Sequence, residues 1–147
     1  MVIDEMTEQE CNAFLERAKL GRLGCSLNDQ PYVVPIYVAF EPRHIYALST
    51  FGQKIEWMRT NPKVCVEIDE IVGEAEWRSV LVKGRYEELH EPQFTEERDH
   101  ARDLLERRHR WWQTAFAERQ LRSTDQLVDP IIFRIEIVSV TGLRAHP

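Results

Sequence analysis

The chain has 147 residues, a length that fits one domain, residues 1–147, with a sizeable core. Apolar residues make up 43% and aromatic residues 10%, and the 30% that are charged are spread along the chain, as in soluble globular proteins. The net charge of −6 argues against a nucleic-acid partner, which needs a dominant positive surface, and three scattered cysteines (Cys11, Cys25 and Cys65) give neither a disulfide framework nor a zinc spacing.

The first ten residues carry acids and no apolar signal-peptide core, and no apolar run approaches membrane-spanning length. A cytoplasmic protein with no membrane association is the expectation. Thr7-Glu8-Gln9-Glu10 fits a capping box. The helix it opens runs to about Lys19, with Cys11, Phe14, Leu15 and Ala18 at helical spacing, and Gly21 stops it. Arg22 to Leu27 and Tyr32 to Phe40 read as strands around a hairpin loop at Asn28-Asp29-Gln30. Pro35 lacks a backbone donor and implies an edge position, a bulge or a break in the second strand.

Arg43 to Ser49 is a third strand after the Glu41-Pro42 turn. A short helix from Gly52 to Thr60 ends at Asn61-Pro62, and Lys63 to Asp69 is a fourth strand. Ile71 to Glu76 reads as an acidic link. Ser79 to Leu89 is a fifth strand, with Gly84 as a bulge. Thr95 to about Glu118 is the strongest helix, its broad apolar face including Leu104, Leu105, Trp111 and Trp112, and Ile131 to Thr141 is a closing strand. Strands mostly follow strands directly, so the fold is expected to be mainly β with flanking helices, its largely antiparallel sheet closed into a small barrel.

The chemistry concentrates in Ser49-Thr50-Phe51-Gly52-Gln53-Lys54. Two hydroxyls, a glycine that admits close backbone approach and a mobile cation meet the start of a helix, whose N–H groups favour an anion such as a phosphate. Thr50-Phe51-Gly52-Gln53 is equally a capping box with Thr50 as N-cap, and spacing alone leaves both readings open. Trp77 at a strand entrance fits a core or interface anchor as well as a stacking platform. Arg107 to Arg110 reads as a solvated helix face. His100 and His109 are out of phase on their helix and cannot share a metal, so no metal site is expected. GxSxG, P-loop and GxGxxG motifs are absent, so a cofactor would carry any chemistry.

Several pieces in order carry a resemblance: Gly21-Arg22-Leu23-Gly24, Pro31-Tyr32-Val33-Val34-Pro35-Ile36-Tyr37, Ile45-Tyr46, Gly52-Gln53-Lys54, Asn61-Pro62-Lys63-Val64 and Trp77-Arg78-Ser79-Val80-Leu81-Val82-Lys83-Gly84. Over roughly Thr7 to Leu89 the chain resembles the pyridoxamine 5′-phosphate oxidase-like FMN-binding split barrels, in the general flavin-nucleotide-binding branch that includes nitroimidazole-resistance proteins. The resemblance implies a six-stranded antiparallel split β-barrel and a homodimer with FMN at the subunit interface. It implies that Pro35, Ile36, Tyr37 and Val38 line the isoalloxazine with backbone groups. Ser49, Thr50, Gln53 and Lys54 would hold the ribityl phosphate, and Trp77 and Ser79 would approach the cofactor near the interface.

The implied activity is that of an FMN-dependent oxidoreductase acting on a small molecule. The alternatives are a flavin carrier or redox sensor, or a split barrel holding deazaflavin, or haem ligated by His44, His90, His100 or His109. No residue stands out as a catalytic acid or base, Tyr37 being the nearest candidate. The nitroimidazole-resistance pattern carries a histidine just after its Ile-Tyr strand, where this chain has Leu48.

Overall fold

The structure, a computed structural model, describes residues 1–108 and 130–147. Its elements are β1 (Val2–Glu5), α1 (Glu8–Arg17), β2 (Leu20–Leu27), β3 (Gln30–Tyr37), β4 (Ala39–Glu41), β5 (His44–Ser49), α2 (Gln53–Thr60), β6 (Lys63–Gly73), β7 (Glu76–Glu88), α3 (Thr95–Arg108) and β8 (Ile131–His146). The architecture is mainly β with flanking helices. Every ladder is antiparallel, in the order β3-β2-β6-β7-β8-β5-β4, with β1 paired to β8.

Two expectations are corrected here. The sheet has eight strands where six were expected, because β1 is added and the second strand divides at Val38 into β3 and β4. Val38 N–H turns to the Lys19 carbonyl at 2.9 Å, which takes the chain off the β2–β3 ladder. The sheet is also open, since its path ends at β3 and β4 with no ladder between them. It nevertheless wraps around one core, as Leu23, Ile36, Phe40, Ile45, Val66, Val80 and Phe133, drawn from seven strands, join a single buried cluster. Burial of this kind contributes roughly 1.5–3 kcal/mol for each large apolar side chain.

Local signals formed where the chain could satisfy them alone. Thr7 caps α1 in a reciprocal box: Glu10 N–H donates to Thr7 Oγ1 at 3.1 Å and Thr7 N–H to Glu10 Oε1 at 3.2 Å. α1 stops at Arg17, earlier than expected, and Gly21 lies inside β2 rather than at the helix end. A Cβ there would meet Val66 Cγ1 at 2.9 Å, so the glycine serves close packing. Asn28 and Asp29, with φ of 51° and 63°, make the two-residue hairpin turn. The ladder shifts register at Lys83/Gly84, the expected bulge. The expected Ile71–Glu76 link is largely strand, since β6 runs to Gly73 and β7 starts at Glu76.

α3 packs Ala101, Leu104 and Leu105 against Tyr46, Leu89 and Ile132 in a second cluster. Ile45 and Ala47 face the main core while Tyr46 faces this one, so β5 is covered on both sides. The remainder of the expected long helix, including His109, Trp111 and Trp112, lies outside the described residues.

Candidate functional site

The open seam of the sheet brings two of the expected groups together. β4 pairs with β5 through Ala39↔Tyr46, and following that register back along the chain puts Ile36 level with Ser49. Strand β3, bonded on one edge to β2, therefore faces β5 across a gap that no ladder bridges. Pro35, Ile36, Tyr37 and Val38 form one bank, and Ser49 and Thr50 begin the other. Ile36, Val38, Ala47 and Ile55 share the core beneath. Pro35 has no N–H to offer an edge ladder, which suits this position.

The segment from Ser49 to Lys54 turns from β5 into α2. Thr50 is not its N-cap. The N-cap is Gly52 (φ −176°, ψ −167°), which makes no side-chain cap hydrogen bond. Ser49 is buried and spends its hydroxyl proton locally, donating to the Thr50 carbonyl at 2.7 Å. The capping-box alternative with Thr50 as N-cap is thus excluded, and the positive end of α2 is of the kind that favours an anion. Nothing lies within 4 Å of where a Gly52 Cβ would stand, so the turn faces open space. Fully buried Ile55 and Met58 anchor the helix below. Lys54 acts electrostatically on Cys25, whose thiol burial pushes up and Lys54 pulls down. Trp57 packs on Tyr32 with ring centroids 5.6 Å apart, and Asn61 Nδ2 donates to the Ser26 carbonyl at 3.0 Å, so α2 sits on the β2–β3 hairpin.

Trp77 and Ser79 are not part of this constellation within one chain. Ser49 lies opposite Ile131, at the end of β8 that pairs with Glu88, whereas Trp77 and Ser79 begin β7. Roughly 30 Å of strand separates Ser79 from Glu88. Ser79 Oγ donates to Glu67 Oε2 at 3.3 Å on the outer face of the sheet, where Arg22 reaches Asp69 at 3.2 Å. Burial, with Asp69 close by, pushes the Glu67 carboxyl above its ordinary range. Trp77 lines a cavity of about 400 Å³ with Phe14, Arg78 and Arg144, and Arg78 and Arg144 are paired to Glu70 and Glu10.

Of the histidines weighed as haem ligands, the three among the described residues have protein neighbours. His100 Nε2 lies 2.9 Å from both Glu41 carboxylate oxygens, and His90 Nδ1 lies 3.1 Å from the Glu88 carbonyl. His44 packs on the Tyr46 ring, and burial lowers its pKa. Among the described residues no cluster of three metal-ligating side chains occurs, and no helix is long and apolar enough to cross a membrane.

Sequence reasoning missed one group beside the seam. Arg59 holds Glu88 at two points, Tyr86 donates to Glu88 at 2.6 Å, and the Arg59 guanidinium lies 5.3 Å over the Phe51 ring. Arg59 and Glu88 are 29 positions apart, and no local pattern links them.

A family model described as pyridoxamine 5′-phosphate oxidase matches residues 7–144. An uncharacterised protein of Rhizobium meliloti strain 1021 is 38% identical over 146 residues, covering 99% of this chain and 97% of its own. Among solved structures, a FAD-binding protein of Mesorhizobium loti is 38% identical, with 99% of each chain covered and a TM-score of 0.80. A candidate 5-nitroimidazole antibiotic resistance protein of Bacteroides thetaiotaomicron shares the fold, with a TM-score of 0.70 at 20% identity over 98% of this chain and 89% of that one.

Proposed function

The chain belongs to the pyridoxamine 5′-phosphate oxidase family, and from that premise we propose that it binds a flavin, FMN being the smallest that satisfies the site, and works as an oxidoreductase on a small organic molecule. The observation that carries this reading is the start of α2: its N-cap is Gly52 rather than a side-chain cap, open space lies in front of that glycine, and the turn stands beside the β3–β5 seam. The Mesorhizobium loti relative, described as FAD-binding, supports a flavin as the ligand class.

In this reading the first-turn N–H groups of α2, the Thr50 hydroxyl and Lys54 hold the ribityl phosphate, with Ser49 fixing the turn through Thr50. The backbone of Pro35 to Val38 receives the ring system along the opposite bank. A bound flavin supplies hydride or electron transfer, which this chain's own side chains cannot perform. The protein's part is to orient the ring and to exclude water from one of its faces.

The reading includes a homodimer. Trp77 and Ser79 are too far along β7 to reach the seam of their own chain, so they serve the cofactor only from a second copy. Exposed apolar residues on the outer sheet face and the β6–β7 hairpin, among them Val33, Ile71 and Val72, support such a contact.

The visible spectrum of the purified protein tests the reading. Bands near those of oxidised flavin, present on isolation or gained on adding FMN, are expected. A protein that stays colourless with saturating FMN and FAD removes the proposal. Stopped-flow reduction by NADH or NADPH then separates an oxidoreductase from a carrier.

A further inference from the structure

We propose that the cradle loop also recognises the adenylate end of a flavin dinucleotide, with Phe51 as the stacking platform and Arg59 as the positioning residue that holds it. The inference rests on the flavin reading above and specifies which flavin the site selects.

Phe51 lies between Thr50 and Gly52, inside the segment that would grip the phosphate. Any group esterified to a phosphate held there must leave past this loop. The Phe51 ring is 56% exposed, although Ile55 and Met58, both fully buried, already anchor the adjoining helix. Core packing therefore does not account for a large apolar ring at this position.

The ring is nevertheless held. The Arg59 guanidinium covers one face, 5.3 Å from the centroid. Arg59 is in turn fixed by Nε to Glu88 Oε1 at 2.8 Å and Nη2 to Glu88 Oε2 at 3.0 Å. Tyr86 braces Glu88 through its hydroxyl and packs its ring 5.2 Å from that of Phe133 in the core. A side chain ordered before binding loses little entropy when a ligand stacks on it. The exposed side of the ring offers a π surface of the kind a purine uses, and a cation lies behind it. FMN ends at its phosphate and makes no use of this ring surface.

The test uses the full chain stripped of flavin, titrated with FMN and with FAD by fluorescence quenching, with oligomeric state measured in parallel by light scattering. The wild-type protein is expected to bind FAD roughly tenfold or more tighter than FMN, the scale of one stacked base. Phe51→Ala is expected to lose that margin while its FMN affinity stays within about twofold, and Phe51→Trp to keep it. Arg59→Ala is expected to lose part of it. Equal or tighter binding of FMN by the wild type overturns the inference and leaves the flavin reading intact. So does a Phe51→Ala variant that weakens both flavins equally or changes the oligomeric state, because Phe51 would then serve the loop or a subunit contact. Binding of neither flavin removes the flavin reading and this inference together.

Discussion

Arg59 and Glu88 join the end of α2 to the end of β7 by two parallel bonds, at 2.8 and 3.0 Å, and Tyr86 completes the group with a 2.6 Å bond to the same carboxylate. Burial pushes the Glu88 carboxyl up, but its bonds to Arg59 and Tyr86 outweigh that and hold it below its ordinary value of 4.5. A depressed folded pKa contributes stability that is complete above the unfolded value and is lost as pH falls through the folded one. Glu88→Gln is therefore expected to lower Tm by about 3 °C at pH 7, a cost of about 1 kcal/mol for a pair whose arginine is half exposed. The gap to the wild type should narrow as pH falls below about 4.5. Thermal melts of both proteins from pH 3 to 8 decide it, and a gap independent of pH contradicts the assignment.

On the proposed function, substitution of Lys54 separates phosphate recognition from ring recognition. Lys54→Ala is expected to weaken FMN by roughly tenfold or more, the scale of one charge-assisted hydrogen bond, and to leave riboflavin within about twofold. Parallel titrations with the two ligands read this directly. An equal loss for both would mean that Lys54 supports the loop and does not meet the phosphate.

Gly24 and Cys65 face each other across the β2–β6 ladder, and a Cβ on residue 24 would stand 2.7 Å from Cys65 Sγ. Gly24→Ala is expected to cost about 1–3 kcal/mol through overpacking. Adding Cys65→Ala should return most of that loss, because the obstructing atom is a side-chain end. Gly84→Ala is a different case: its Cβ would lie 2.3 Å from the Glu136 carbonyl oxygen, which is backbone. There a loss of about 3 kcal/mol or more is expected, with no single side-chain truncation to relieve it. Urea denaturation of the three variants distinguishes the two situations.

A site completed by a second copy predicts complementation between defects. On the proposed function, Lys54→Ala and Trp77→Ala are each expected to damage flavin binding, the first in the cradle and the second in what a partner copy would supply. Mixed and allowed to exchange subunits, they form hybrids in which one site has an intact cradle and an intact Trp77. About a quarter of all sites should then regain normal flavin affinity, as random pairing into dimers requires. Exchange verified by native mass spectrometry without recovery of any sites would show that Trp77 does not act across the interface.

Features decided by neighbours along the chain were legible in the sequence. The Thr7–Glu10 box, the Asn28-Asp29 turn, the Gly84 bulge and the antiparallel, mainly β character each depend on residues a few positions apart. The candidate cofactor residues were proposed from their type, their order and the family resemblance they carry. The fate of Thr50-Phe51-Gly52-Gln53 was not legible, because its pattern satisfies a capping box and an anion cradle equally well. In the folded chain Ile55 and Met58 are buried, Ser49 bonds the Thr50 carbonyl, and the cap falls at Gly52.

Local sequence chemistry by itself determined which segments become strands, where helix α1 begins and which residues are able to meet a phosphate. Tertiary structure alone decided that the sheet stays open between β3 and β4, that Pro35–Val38 and Ser49 border the same seam, that Trp77 lies at the opposite end of β7, and that Arg59 lies over the Phe51 ring. The physical reason is range. Capping, turns and strand alternation are settled by bonds within a few residues, whereas the seam and the Arg59–Glu88 pair arise only when distant segments are forced together around one buried core.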